Sequence, residues 1–380
     1  ILEALLLVDV KGEFSHKVID MALEKYSYLS KADRGFFSKT VHGVIEYRLQ
    51  LDFIIGKYNN AKRMKPVIRE ILRMAVYQIL YMNRVPDRAA INEAVNLVKK
   101  RRLFGLEGFV NGILRNISSE KENFKFEDLS IKYSMPGLVL DILRENTGKY
   151  FESTLEYFIK TNPVSIRVNT SRADTDNVIK ELSGLGIRAE KSILNRDMLY
   201  ISNFDRMEDV PPVGDGRCYI TDVSSGMISK LLTTNIVKVV DVCAAPGGKS
   251  FLFADKISKD AKIFSCDISE SKVDLIRGNS KKQRFLNIYP TVANALVYDE
   301  RFLNADLVLA DLPCSGIGII GKKPDIKYRL EPEGISSLVS LQSKILDNVA
   351  RYVKLGGELI FSTCTLNKRE NEDNIFDFLN

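Results

Sequence analysis

The sequence has no tryptophan and only two histidines, His16 and His42. No apolar run approaches the roughly 20 residues that a membrane-spanning helix needs. So few histidines make histidine-based acid/base chemistry a poor expectation. The five cysteines (Cys218, Cys243, Cys266, Cys314 and Cys364) are an odd number with no CxxC pair, and they lie far in sequence from both histidines. That argues against a zinc site and against a disulfide framework, and no metal is expected. Carboxylates and thiols are left to carry any chemistry. The opening ILEALLLVDVKGE lacks the basic flank and cleavage site of a signal peptide, so a cytoplasmic location is expected, with a monomeric chain.

What is present suits a multi-domain protein. A chain of 380 residues with 45% hydrophobic content has room for two or three cores. Charge is unevenly placed: residues 1–135 carry 23 Lys/Arg against 16 Asp/Glu, a net +7, and the remainder nets −1. A basic front half suggests a polyanionic partner, although solvated lysine faces are the commoner explanation at this density. In PVIREILRMAVYQILYM the apolar residues Val67, Ile68, Ile71, Leu72, Ala75, Val76, Ile79 and Leu80 recur at three- and four-residue spacing, behind a helix-opening Pro66. Residues 1–130 are therefore expected to form a helical bundle. Residues 131–215 mix helix with short strands, SIRVNT and MLYIS, and close on the Pro/Gly-rich VPPVGDGR. From 216 to 380 strand alternates with helix: IVKVVDV, AKIFSCD, FLNIYPTVA, DLVLADLP and GELIFSTC are the strands. This pattern predicts a parallel, doubly wound α/β sheet.

The chemistry sits at strand ends. VVDVCAAPGGKS runs from a strand through a Gly-rich turn into a helix, and Asp267 closes the next strand 18 residues after Lys249. Gly247 and Gly248 admit close approach of a ligand, and a carboxylate in the Asp267 position bonds a ribose hydroxyl in dinucleotide folds. A nucleoside cofactor follows, without deciding between NAD and S-adenosylmethionine. DLPCSGIG ends the fourth strand with an acid, a proline and a thiol. That set suits a pyrimidine: carbon 5 of cytosine becomes nucleophilic only after a thiolate adds to carbon 6, accompanied by an acid at N3. FSTCTL supplies a second thiol at the end of the fifth strand. Cys243 and Cys266 are expected to be packing or loop residues.

In order and spacing, CAAPGGKS, DLPCSGIG, KKPDIKYRL, the helix containing LQSKIL, KLGGELIFSTCTL and RENEDNI resemble the RsmB/Sun family of bacterial ribosomal RNA cytosine-5 methyltransferases. The front, through ADRGFFSKTVHGVIEYR, VPDRAAINEAVNLVKK and GFVNGILRNI, is similar to the NusB-like RNA-binding domain of that family. The resemblance implies an all-α NusB-like bundle, a small α+β domain and a class I Rossmann-like methyltransferase domain. It implies S-adenosylmethionine as cofactor and 16S ribosomal RNA as partner. Cys364 would be the nucleophile, Cys314 would help to release product, and Asp311 would bond the cytosine at N3 and its amino group. Cys243, Ala244, Ala245, Pro246, Gly247, Gly248 and Lys249 would line the methionine end of the cofactor, with Asp267 on the ribose. Asn294 stands where an acidic residue near the adenine is usual, and Asp311 would border the cofactor as well. The residues themselves leave the two thiols interchangeable, since DNA cytosine methyltransferases use a P-C thiol as nucleophile. The target base is expected to flip out of its stack, with Lys322, Lys323, Lys327 and Arg329 holding the flanking backbone. Class I sheets normally continue through a final strand pair, so an incomplete sheet is expected here. A transfer RNA methyltransferase of the same fold and a non-catalytic RNA-binding factor are the alternatives.

Overall fold

The computed structural model of the protein describes residues 1–59, 63–160, 163–231 and 235–380. Contacts divide it into two units. One comprises Ile1–Lys160 with the segments Ser315–Pro332 and Cys364–Asn367; the other comprises Thr161–Cys314, Glu333–Thr363 and Lys368–Asn380.

The first unit is built on seven helices: α1 (Leu2–Asp9), α2 (Ser15–Lys25), α3 (Lys31–Glu46), α4 (Arg48–Lys57), α5 (Pro66–Tyr81), α6 (Asp87–Lys100) and α7 (Glu107–Glu120). The predicted periodicity places α5 at the centre, packed against α1, α3, α4, α6 and α7. Ile68, Ile71, Leu72, Ala75, Val76 and Ile79 are buried, as are Glu70, Arg73, Tyr77 and Gln78, so α5 is covered on nearly every side. The Arg73 guanidinium is compensated there: it makes a bidentate pair with Asp52 (2.7 and 2.5 Å) and reaches Glu70. Three further helices, Leu129–Lys132, Gly137–Thr147 and Phe151–Ile159, belong to this unit. They contribute Tyr133, Met135, Val139, Leu143 and Phe158 to a second core, which also takes in Ile317 and Ile320.

The second unit holds two sheets. β1 (Val164–Val168), β2 (Arg188–Lys191), β3 (Met198–Ser202) and β4 (Cys218–Ile220) form an antiparallel sheet in the order β2-β3-β1-β4. The pattern reading found β1 and β3 but not β2 or β4, which have only four and three residues and no apolar alternation. This sheet is tied to the larger one by Asp255, whose carboxylate accepts from Arg167 (3.0 Å), the Thr170 hydroxyl (2.8 Å) and the Ser171 amide (2.8 Å).

The larger sheet contains β5 (Lys238–Asp241), β6 (Lys262–Asp267), β7 (Ile288–Val292), β8 (Ala305–Asp311) and β9 (Val353–Ser362), all parallel, in the order β7-β6-β5-β8-β9. The two faces divide by alternation. Val239, Ile263, Leu307 and Leu309 pack with Phe251, Leu252 and Ile276, whereas Val240, Cys266, Val308 and Ala310 pack with Ile345, Leu346 and Val349. Helices cover both faces, so the predicted doubly wound class holds. The strand order reverses between β5 and β8, and ligands in such sheets bind beyond the carboxyl ends at that switch point.

Asp241 ends β5 and anchors the turn that follows. It is fully buried, accepts from the Ser250 hydroxyl (2.7 Å), and Ser250 in turn accepts from Ser265 on β6 (2.7 Å). Burial, with nearby Asp311 a smaller contributor, pushes its carboxyl up to about 7. The native state therefore keeps a proton that the unfolded chain releases near pH 4. The associated stability is fully present below that value and is lost as pH rises through about 7. Asp241→Asn should flatten this dependence: between pH 5 and pH 8 the wild type should lose up to a few kcal/mol more than the variant. Urea unfolding of both at the two pH values measures it, and comparing slopes cancels any pH-independent cost of the substitution.

Candidate active site

Four of the five strand ends of the large sheet carry the polar residues singled out from sequence. After β5 the chain turns through Cys243, Ala244, Ala245, Pro246 and Gly247 into a helix, Gly248–Ala254. The turn is fixed by its backbone: Ala244 N–H donates to the Cys266 carbonyl (2.8 Å), and Gly247 N–H donates to the Ala244 carbonyl (2.7 Å). Gly247 has φ +108°, and a Cβ there would stand 2.4 Å from the Phe251 ring, so only glycine fits. The helix then begins with N–H groups that have no intrahelical acceptor.

Asp267, at the end of β6, is 5% exposed. It accepts from Ala245 N–H (3.3 Å) and Ile268 N–H (2.8 Å), and Lys272 Nζ lies 3.1 Å from its other side. A carboxylate offers about four lone-pair positions, so it retains capacity for a further donor. Asn294 follows β7 and is exposed; its Oδ1 accepts from Leu296 N–H (3.0 Å), which closes a local turn. The oxygen expected to face an adenine thus already accepts one bond.

Asp311 ends β8 with both oxygens engaged. Lys249 Nζ lies 2.5 Å from one, and the Ser362 hydroxyl donates to the other at 2.8 Å. Sequence reasoning assigns Lys249 to the methionine end of the cofactor, not to Asp311, and misses Ser362, the first polar residue of FSTC. The signal was register: Asp311 and Ser362 are direct partners on the parallel strands β8 and β9, and Leu312 N–H donates to the Ser362 carbonyl (3.0 Å). Past the strand ends the two motifs stay side by side. The hydroxyls of Ser315 and Thr365 are 2.7 Å apart, and Gly318 N–H donates to the Cys364 carbonyl (3.0 Å). Each candidate thiol is one residue from that hydroxyl pair: Cys314 beside Ser315, Cys364 beside Thr365.

The cysteines differ in their surroundings. Cys218 and Cys266 are buried, Cys243 and Cys314 are half-buried, and Cys364 is exposed. Burial pushes the thiols of Cys218 and Cys243 up to about 12 and that of Cys266 higher still, so these three carry their protons at neutral pH.

One expectation is corrected. Of the four basic residues assigned to the nucleic-acid backbone, Lys322 is exposed and Lys323 half-buried, but Lys327 is 2% exposed and donates to the Glu46 carbonyl at 2.8 Å. Desolvation lowers its pKa. Arg329 donates to the carbonyls of Gly12 (2.7 Å) and Glu13. These two side chains satisfy helix ends and loop carbonyls within the first unit, and Lys327 has no exposed surface to offer a phosphate.

Comparison with known proteins finds two families in order along the chain. Residues 1–119 match the NusB family, and residues 230–380 match the 16S rRNA methyltransferase RsmB/F family. The probable ribosomal RNA small subunit methyltransferase B of Bacillus subtilis (strain 168) is 31% identical over 392 residues, covering 100% of this chain and 87% of the relative. Its Synechocystis counterpart is 29% identical, over 99% and 87%. The crystal structure of PH0851 superposes with a TM-score of 0.84 at 26% identity, over 100% of this chain and 88% of the other. A methyltransferase homolog protein from Pyrococcus horikoshii gives 0.58 at 26% identity, over 66% and 80%. With two family matches in order and a full-length relative above 30% identity, the chain belongs to the RsmB/F family of S-adenosylmethionine-dependent 16S rRNA methyltransferases, with a NusB-family domain ahead of the catalytic one.

Proposed function

We propose that the protein methylates carbon 5 of a cytosine in 16S ribosomal RNA through a covalent bond between Cys364 and carbon 6 of the base. The supporting observation is the alignment of β8 with β9. It sets Asp311, with both oxygens engaged, on a strand pair whose outgoing segments carry Cys314 and Cys364. The cofactor supplies an electrophilic methyl group. The residues beyond the strand ends fit it: Asp267, with acceptor capacity left, would accept from ribose hydroxyls, the turn Cys243–Lys249 would border the methionine end, and Asn294 would take the adenine side.

In this reading the Cys364 thiolate adds to carbon 6 while a proton reaches N3, and the ring's electron pair moves to carbon 5. Asp311 holds N3 and the amino group, and the Lys249 ammonium 2.5 Å away is the proton source at hand. Carbon 5 would then take the methyl group, with S-adenosylhomocysteine as the leaving group; carbon 5 loses its proton to a base, the bond to Cys364 breaks with its electron pair returning to sulfur as the carbon 5–carbon 6 double bond re-forms, and N3 returns its proton to Lys249. Cys314 assists that release. The base must leave its stack to be reached at all, which costs a few kcal/mol. Cys218, Cys243 and Cys266 are held protonated by burial and make poor nucleophiles.

Two measurements test this. Asp267→Ala should weaken S-adenosylmethionine binding by about 1.5–3 kcal/mol, the range for hydrogen bonds to a charged group. Calorimetry showing unchanged affinity would take Asp267 out of the site, and tight binding of NAD in the same titration would overturn the cofactor assignment. In RNA carrying 5-fluorocytosine a fluorine replaces the carbon 5 proton whose loss elimination requires, so such RNA should trap the enzyme in a gel-stable adduct. Cys364→Ala should abolish both turnover and trapping, whereas Cys314→Ala should still attack and stay attached even to ordinary RNA. The reverse pattern would exchange the two thiols.

A further inference from the structure

The motif KKPDIKYRL at 322–330 has no part in the chemistry above, yet Asp325 and Lys327 are each only 2% exposed. Each addresses a helix end in the first unit. The Asp325 carboxylate accepts from the Ser15 amide (3.3 Å) and from the Ser15 hydroxyl. Ser15 opens α2, where N–H groups lack intrahelical acceptors and the dipole favours an anion. Lys327 Nζ donates to the carbonyl of Glu46, the last residue of α3, where a cation is favoured. The Tyr328 hydroxyl lies 3.3 Å from the same carbonyl and 3.1 Å from the Ser134 hydroxyl, which accepts from Leu49 N–H (2.9 Å). Arg329, bonded to the Gly12 and Glu13 carbonyls, also covers the Phe14 ring at 4.5 Å.

The other end of this segment grips the candidate nucleophile. Gly318 N–H holds the Cys364 carbonyl, and a Cβ at 318 would stand 2.8 Å from that oxygen, so no larger residue fits without movement. Ile317 and Ile320, between the grip and the anchor, are buried in the second core, and Gly321 lies so close to Phe158 that a Cβ would stand 2.8 Å from its carbonyl oxygen. The anchor combines both kinds of contact: Asp325, Tyr328 and Arg329 border a cavity of about 240 Å³ lined by Arg48, Glu70 and Arg73 but also by Leu5, Val8, Val44 and Ile45, and directed bonds add to the packing of Tyr328 on the helical core.

We propose that Asp325, Lys327, Tyr328 and Arg329 are positioning residues for methyl transfer: they lock Ser315–Pro332 onto the helices, so that Ser315 and Gly318 fix the backbone of Cys364 and Thr365 for attack. The proposal rests on Cys364 as nucleophile. It gives the helical front of the chain a direct part in the chemistry, in addition to any affinity for RNA.

The test uses the full chain with Lys327→Met, Asp325→Asn and the milder Tyr328→Phe, read in three ways. Single-turnover methyl transfer at saturating RNA should fall about 10- to 100-fold in the first two variants and less in the third, since displacement near 1 Å costs that much. S-adenosylmethionine affinity by calorimetry should stay within about 2-fold, because its residues lie in the other unit. Hydrogen exchange of the peptide containing Gly318 should accelerate, while that of the 241–254 peptide should not. Unchanged turnover in folded variants, turnover and cofactor affinity falling together, or slower turnover with Gly318 still protected would each overturn the proposal. Cys364→Ala separates it from the reading beneath it. If that variant keeps turnover, the nucleophile assignment fails and the positioning role falls with it; if it loses turnover while the anchor variants keep theirs, the nucleophile assignment stands and only the positioning role fails.

Discussion

The arrangement of the candidate site depends on β8 and β9 ending in step. β8 is buried from Ala305 through Ala310, and only its last residue, Asp311, emerges. A slip of one residue would turn that carboxylate to the opposite face and carry an apolar side chain into its place, so register is strongly specified. The start of the pair is irregular, with a shift between Ala305 and Leu307. The two glycines of KLGGEL absorb it. Gly356 has φ +76°, and a Cβ on Gly357 would stand 2.9 and 3.0 Å from the carbonyl oxygens of Ala305 and Asp306. The distortion is confined to the amino end of the pair, and the carboxyl end keeps the pairing of Asp311 with Ser362.

A sheet can order side chains only up to its last hydrogen-bonded pair. Asp311 and Ser362 are within that limit; Cys314 and Cys364 are beyond it. Order past the edge needs other donors, and the chain provides them in the Ser315 hydroxyl and the Gly318 amide. This division has an electrostatic counterpart. The three thiols enclosed by the fold are driven toward the protonated form by burial, whereas Cys364 is exposed. Its exposure leaves Cys364 accessible from solvent, as the proposed nucleophile must be.

These features were not equally legible in the sequence. The parallel sheet could be read because buried strands such as DLVLAD are continuous apolar runs bounded by turns, and its acids could be placed because they terminate those runs. β2 and β4 could not: three of the four residues of Arg188–Lys191 are charged and exposed, and it is a strand only because β3 pairs with it. Lys327 and Arg329 were misread for a different reason. Composition identifies a cation but not its acceptor, and carbonyls at a helix end compete with phosphates for the same donor. The partner of Lys327 is 281 residues away, a separation to which no local pattern is sensitive. The triad Asp241, Ser250 and Ser265 escaped likewise, because its members look like ordinary polar residues until three elements are brought together.

The same argument bears on the basic front half. Many of its charges are already paired: Arg73 with Asp52 and Glu70, Arg48 with Asp9, Arg101 with Glu3, Lys121 with Asp87. Counting basic residues therefore overstates what a polyanion meets. Pairing removes one charge of each sign, however, so the excess of +7 over residues 1–135 survives it and must be carried by side chains outside these pairs. Lys99, Lys100 and Arg102 are exposed at the end of α6, next to a Phe104 that is 76% exposed. Cations of this kind release counterions from a nucleic acid on contact, and an exposed ring offers a stacking surface to an unpaired base. Arg73 and Lys327 are buried and serve the fold, whereas Lys99, Lys100 and Arg102 stay at the surface, and burial rather than residue type separates the two sets.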